Sequence, residues 1–415
     1  MIARVFNRLS LAGLCATLVG NGLGRFAFVA LMPALIQAGW FSKAQASTLG
    51  VATLVGYVFG AAVADSLAAR WSSARLLRVS MLACSLSFLA CAFEGAGMAW
   101  NLLWRSAAGV AGALLMVLPA PLVLPRHAAA IRARTGGVVF SGIGLGAALS
   151  GWLVPLLVGG PATVASAQGV AIAWLGLGAV CLALTAGAWR AWPAEATAPP
   201  AAVDRPPLPA DLRRTVALVL LAHGLNAVGY LAHTLFLPDY VVRELGMPLA
   251  QGGFYWSMFG LGAAIGPMVA GTLADAFGLR RCLVAGFALK AVSAFLPVWG
   301  GGAATLLVSA IVMGLCTPGV VVMVSAYTLE QVGPSHHRRA WGLATSSFAI
   351  AQAAGGALMA FAATRLSSYQ PLFCASAVAL AGSVACIALV RERAAPAAAP
   401  SANRLLPVVI TAPHP

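Results

Sequence analysis

The chain is predicted to be an all-α polytopic membrane protein, with twelve transmembrane helices in two pseudo-symmetric six-helix halves. Three observations predict this. Hydrophobic residues fill 61% of the 415 positions and charged residues only 8%, whereas soluble domains carry about 25% charged residues. Mean hydropathy is +0.91 over the whole length, which leaves no room for a large water-soluble domain. The second half of the chain also repeats the first at nearly constant offsets.

Apolar runs long enough to span occur at 11–37, 46–69, 76–93, 97–123, 135–158 and 169–191, and again at 215–241, 251–276, 282–299, 303–329, 341–364 and 371–390. Runs of about 20 residues fit a hydrocarbon core of roughly 30 Å. Between the two sets lies WPAEATAPPAAVDRPPLPADLRR, with six prolines and no apolar periodicity; such a segment is a linker. The expected domains are therefore an N-terminal six-helix bundle (1–191), a cytoplasmic Pro-rich linker (192–214), a C-terminal bundle (215–391) and a disordered, Ala/Pro-rich cytoplasmic tail (392–415). Arg4 and Arg8 before the first run imitate a secretory signal, but the run has a mid-chain counterpart and is expected to be a retained helix.

The repeat is specific. A shift of 205 aligns Asn21 with Asn226, Gly24 with Gly229 and Pro33 with Pro238; a shift of 210 aligns Gly56 with Gly266 and Asp65 with Asp275; a shift of 206 aligns Arg132 with Arg338. Two six-helix units in line are a transporter architecture. With the N-terminus inside, 19 of the 25 Lys/Arg fall on cytoplasmic segments, three outside (Lys43, Arg243, Arg365) and three within spans (Arg25, Arg105, Lys290). That asymmetry places both termini in the cytoplasm. It also explains the +15 charge without nucleic acid, since the basic residues are scattered over short loops. All eight cysteines lie in apolar runs with no zinc-type spacing, so no metal is expected. No Walker sequence and no HExxH or Ser/His/Asp pattern occurs, so neither ATP drive, a cofactor nor catalysis is expected.

Two motifs carry a family resemblance. Gly271-Thr-Leu-Ala-Asp-Ala-Phe-Gly-Leu-Arg-Arg281 joins spans eight and nine. Asp275 ends a helix, Gly278 permits a tight reversal, and Arg280 and Arg281 can pair with Asp275 or lipid phosphate. Its first-half counterpart keeps Asp65 but has lost the second glycine. The string resembles the G-x-L-A-D-x-x-G-x-R-R loop of the major facilitator superfamily, which implies a latch between the two halves. Arg105-Ser-Ala-Ala-Gly-Val-Ala-Gly112 resembles the superfamily's R-x-x-x-G-x-x-G helix, whose arginine is linked to proton or substrate coupling. Together with NGLGRFAFVALMP at 21–33 and GIGLGAALSG at 142–151, the resemblance extends to the YbfB/YjiJ-type branch.

The candidate site starts from Arg25, the lone charge between Leu11 and Ile36. An arginine at a helix centre costs roughly 2.5–3.5 kcal/mol on insertion scales. Thr17, Asn21, Arg25, Phe28 and Met32 share helical spacing, and His223, Asn226, Tyr230 and His233 repeat it under the 205 shift. The superfamily resemblance implies that the first and seventh helices line the central cavity. Asn21, Arg25, Phe28, Arg105, Asn226, Tyr230, His233 and Gln352 are the expected substrate-binding residues. Arg25 has two open roles: a fork for an anion, or a tie to helix carbonyls. Lys290, mid-way along the ninth span, could be a second cationic contact or shed its proton; structural pairing or snorkelling is the favoured role, because the resemblance puts the ninth helix at the periphery. No Asp or Glu lies near a span centre, so any proton coupling must use His, a substrate carboxylate or end-lying acids.

The expected function is a secondary transporter in the bacterial inner membrane, moving a small organic anion by alternating access, as a monomer in the lipid bilayer. Efflux of hydrophobic or amphipathic toxic compounds is the alternative within transport. A transport-like sensor without flux is the alternative outside it.

Overall fold

The computed structural model describes residues 5–128, 131–159, 165–193, 208–300 and 302–390. The middle of the predicted linker (194–207) and the predicted tail (392–415) lie outside the described residues. All regular structure among the described residues is helical.

The elements run in order as α1 (Arg8–Thr17), α2 (Ala27–Gln37), α3 (Lys43–Arg70), α4 (Ser73–Ala90), α5 (Gly97–Val117), the short α6 (Pro119–Val123), α7 (Arg132–Val158) and α8 (Ala167–Ala188). The second half comprises α9 (Ala210–Gly229), α10 (Leu231–Asp239), α11 (Leu249–Phe277), α12 (Leu279–Trp299), α13 (Ala303–Arg365) and α14 (Gln370–Ala388). Eleven helical stretches among the described residues are long and apolar enough to cross a membrane. Phe59, Trp152, Leu358 and Val378 stand exposed on their outer faces, the surface that lipid covers at no cost. The longest stretch, α13, has 63 residues and is broken at Gly333, whose φ of 72° and ψ of 170° are not helical. Glycine reaches that conformation without a Cβ penalty. The break falls between the predicted runs 303–329 and 341–364.

Two further breaks position the site. α1 ends in a π-helical turn, Leu18–Leu23, and residues 24–26 form a turn before α2. α9 ends at Gly229, and Tyr230 (φ −105°, ψ 0°) separates it from α10. Arg25 and Tyr230, 205 residues apart, each occupy the interruption in their own helix, directly after a glycine. A π turn inserts extra backbone and rotates everything beyond it. Asn21 and Arg25 therefore do not share the face that a continuous helix would give them.

Glycines set the helix spacing. A Cβ on Gly56 in α3 would lie 2.1 Å from the Ser106 carbonyl of α5, and one on the repeat-related Gly266 in α11 would lie 2.1 Å from the Leu315 carbonyl of α13. Side chains would hold these backbones apart. α7 uses two glycine faces. Gly142 and Gly146 press on Leu14 and Gly22 of the first helix, while Gly144 and Gly151 press on Ala264 and Gly253 of α11 in the other half.

Candidate functional site

Arg25 enters the interior from the turn between the π segment and α2. Its Nη2 donates to the Tyr230 hydroxyl at 3.0 Å. With the Gln352 amide turned so that its oxygen meets the donors, that oxygen accepts from Nη1 at 3.2 Å and from Nη2 at 2.7 Å, and it also accepts from the Tyr230 hydroxyl. Every partner is neutral and comes from the other half. The guanidinium also lies 4.9 Å from the Phe26 ring centre and 5.8 Å from that of Tyr230. Such ring contacts contribute about 0.5–2 kcal/mol each. A small cavity with room for about one water molecule adjoins the group, lined by Arg25, Phe28, Met32, Ser47, Leu54 and Thr234 among others.

Lys290 reaches the same place. Its ammonium is fully buried, donates to Asn226 Oδ1 at 2.5 Å and sits 5.1 Å from the Tyr230 ring centre. The ninth helix itself is peripheral, since α12 packs on α13 and α14 and exposes Leu289, Val292 and Trp299; the long Lys290 side chain nevertheless points inward and reaches Asn226 of α9. Two sequence signals pointed to it, an ionisable group at mid-span and an asparagine on the α9 stripe.

The structure thus gathers Arg25, Tyr230, Gln352, Asn226 and Lys290, with Phe28 at the cavity wall. It does not gather the rest. Asn21 donates to the Gly112 carbonyl at 3.1 Å and ties the π turn to α5. The preceding Thr17 likewise donates to Val139. His233 is fully buried inside the second half, with Nε2 2.8 Å from Ser309 Oγ and its ring edge-on to Phe373. His223 packs at a tilt against Phe348 and Trp341, with interplanar angles of 35° and 38°. Arg105 is 1% exposed, and Nε, Nη1 and Nη2 all lack a hydrogen-bond partner. Its guanidinium rests 4.9 Å from the Phe28 ring centre and 6.0 Å from that of Trp174. Phe28 therefore separates Arg105 from the cavity beside Arg25.

At one end of the bundle a second cluster spans the halves. Asp239, fully buried, accepts two bonds from Arg243 at 2.6 Å each and one from the Tyr369 hydroxyl. Asp239 lies at a span end, where Tyr369 and the π turn Tyr240–Glu244 enclose it. Glu244 accepts from Ser368 at 2.5 Å and from the Tyr369 amide at 2.8 Å. Lys43, at the start of α3 in the first half, lies 4.1 Å from the Tyr369 ring centre.

At the other end, Gly278 has φ 87° and ψ 146° and reverses the chain between α11 and α12. Arg280 donates to the carbonyls of Ala388 (2.8 Å) and Val390 (3.3 Å), which end α14. Asp275 is exposed, with no hydrogen bond among the described residues, and Asp65 and Arg281 are also exposed.

A multi-pass helical bundle with glycine-spaced halves and a cationic interior defines a membrane transporter of the major facilitator type. The chain belongs to the family described as "Uncharacterised MFS-type transporter YbfB", whose model matches residues 17–390. The MFS-type transporter YfiU of Bacillus subtilis (strain 168) is 33% identical over 88 residues, which is 21% of this chain and 16% of that relative's length. Solved structures share the fold at low identity. The xylose transporter XylE of E. coli, in a partially occluded inward-open conformation, has a TM-score of 0.70 at 11% identity, covering 94% of this chain and 100% of its own. The nucleoside transporter NupG gives 0.67 at 12%, covering 93% and 100%. A bacterial homologue of the lysosomal transporter Spinster, inward-facing and occupied, gives 0.67 at 14%, covering 92% and 93%.

Proposed function

We propose that this transporter carries a small organic anion across the bacterial inner membrane by rocking two six-helix halves about Arg25. One observation carries the reading. Arg25 is a permanent cation in the protein interior, beside a cavity, with only neutral groups as partners. A half-buried charge with no counter-ion has lost part of its water without compensation, and a negative cargo supplies the missing charge. Phe28, Met32 and Leu54 in the same wall suit the cargo's hydrocarbon part. Uptake of labelled carboxylates into proteoliposomes tests this against their neutral amides. Equal transport of acid and amide, or resistance to hydrophobic toxins without acid flux, would turn the reading to efflux.

The same proposal divides α13 at Gly333 into two spans. A straight helix of 63 residues would be about 95 Å long, roughly three bilayer cores. That gives twelve spans, halves at 1–191 and 215–391, and both termini in the cytoplasm. Lys43 and Tyr369 then stand at the outer end as a gate between the halves. Lys43→Met is expected to raise outer-end opening about tenfold, since a partly desolvated cation–π contact contributes up to about 2 kcal/mol. Labelling of Met32→Cys by an impermeant maleimide, with the parent's labelling subtracted, reads this; an unchanged rate would remove Lys43 from the gate.

Asp275 is proposed to act as a latch in the opposite conformation, where it meets partners it lacks here. Asp275→Asn is expected to slow net flux several-fold while equilibrium binding of the cargo stays as in wild type. Undiminished flux in that variant speaks against the latch.

A further inference from the structure

One aromatic ring serves two cations of opposite halves. We propose that Lys290 and Arg25 form a two-point anion site, so that the cargo is a small molecule with two anionic groups, of the dicarboxylate class; this rests on the reading of Arg25 as the cargo contact. Arg25 binds the Tyr230 hydroxyl from the first half, and Lys290 lies over the same ring from α12 in the second. The partners are an amide, a phenol and another amide: Asn226, Tyr230 and Gln352. No carboxylate among the described residues pairs with either cation. Asp239, the buried acid, is held by Arg243 and Tyr369. Arg105, fully buried like Lys290, adds a further charge of the same sign.

Like charges in a protein interior repel each other, and Lys290 lacks all, Arg25 part, of the water it would have outside. One anionic group relieves one cation and leaves the other. Two anionic groups relieve both. Lys290 also has a second donor beside it, because Asn226 Nδ2 is buried with no acceptor. An ammonium and an amide N–H together suit a carboxylate's two oxygens. The two poles belong to different halves, so a cargo bridging them draws the halves together, as an occluded state requires.

The test uses the purified full-length protein and α,ω-dicarboxylates of graded chain length, each with its half-amide of equal length. The affinity of each pair is measured by thermal shift and calorimetry. In wild type one diacid length is expected to bind about tenfold or more tightly than its half-amide. Lys290→Gln is expected to abolish that preference, bringing diacid and half-amide to equal affinity. Asn226→Asp does the same by giving Lys290 a resident carboxylate; it changes one group in place and keeps the lysine's packing, so it reports charge even where Lys290→Gln folds poorly. A diacid preference that survives both substitutions overturns the two-point site and leaves Arg25 as the cargo contact. Undiminished half-amide binding in Arg25→Gln overturns the underlying reading instead. A wild-type protein that binds no diacid better than its half-amide also rejects the proposal.

Discussion

Arg25→Ala is expected to abolish transport while the protein still reaches the membrane and melts near the wild-type temperature. The residue's structural partners keep each other when it leaves: the Tyr230 hydroxyl already bonds the Gln352 oxygen, and Asn226 is engaged by Lys290. Losing a charge contact to an anion costs about 2–5 kcal/mol, which lowers cargo affinity by about one and a half to three and a half orders of magnitude. Arg25→Lys keeps the charge without the planar fork, so partial flux is expected. Proteoliposome uptake together with cell-surface quantification separates the roles. Wild-type flux from Arg25→Ala would falsify the cargo contact. Loss of the folded protein would instead assign Arg25 to holding the two halves together.

Gly144→Val is expected to cause the largest loss of stability. A Cβ at this position of α7 would already lie 2.2 Å from the Ala264 amide nitrogen and 2.4 Å from the Gly260 carbonyl oxygen. Both obstacles are backbone, so no rotamer change relieves them. Overpacking of this kind costs about 1–3 kcal/mol, occasionally more, and here it acts on the seam between the halves. Gly137→Val is the control on the same helix, because its nearest contact would be Met268 at an ordinary 3.7 Å. Melting in detergent should fall by several degrees for Gly144→Val and hold for Gly137→Val. Equal melting of the two variants would mean that α7 and α11 separate without penalty.

Reading the sequence located the helices well because a bilayer asks a one-dimensional question. A run is either apolar over about 20 residues or it is not. The predicted run 169–191 overlaps the helix Ala167–Ala188, and 251–276 overlaps Leu249–Phe277. Family membership was equally legible, since the motif glycines are needed wherever two backbones touch, as at Gly109, where an added Cβ would lie 2.2 Å from the Thr53 carbonyl. Repeat arithmetic even paired Arg25 with Tyr230, which the fold brings into hydrogen-bond contact near the junction of the halves.

Composition and spacing along the chain settle the solvent of each segment, the repeat and the scarcity of mid-span acids. Which groups meet is set by packing in three dimensions. The π turn Leu18–Leu23 sends Asn21 to Gly112 and frees Arg25 to face the other half. The packing of α12 brings Lys290 to Asn226 across 64 residues, and Gln352 meets Arg25 across 327. Helical periodicity gives the face of a side chain relative to its neighbours in sequence; a single inserted turn changes that phase, and no local pattern encodes which distant helix lies opposite.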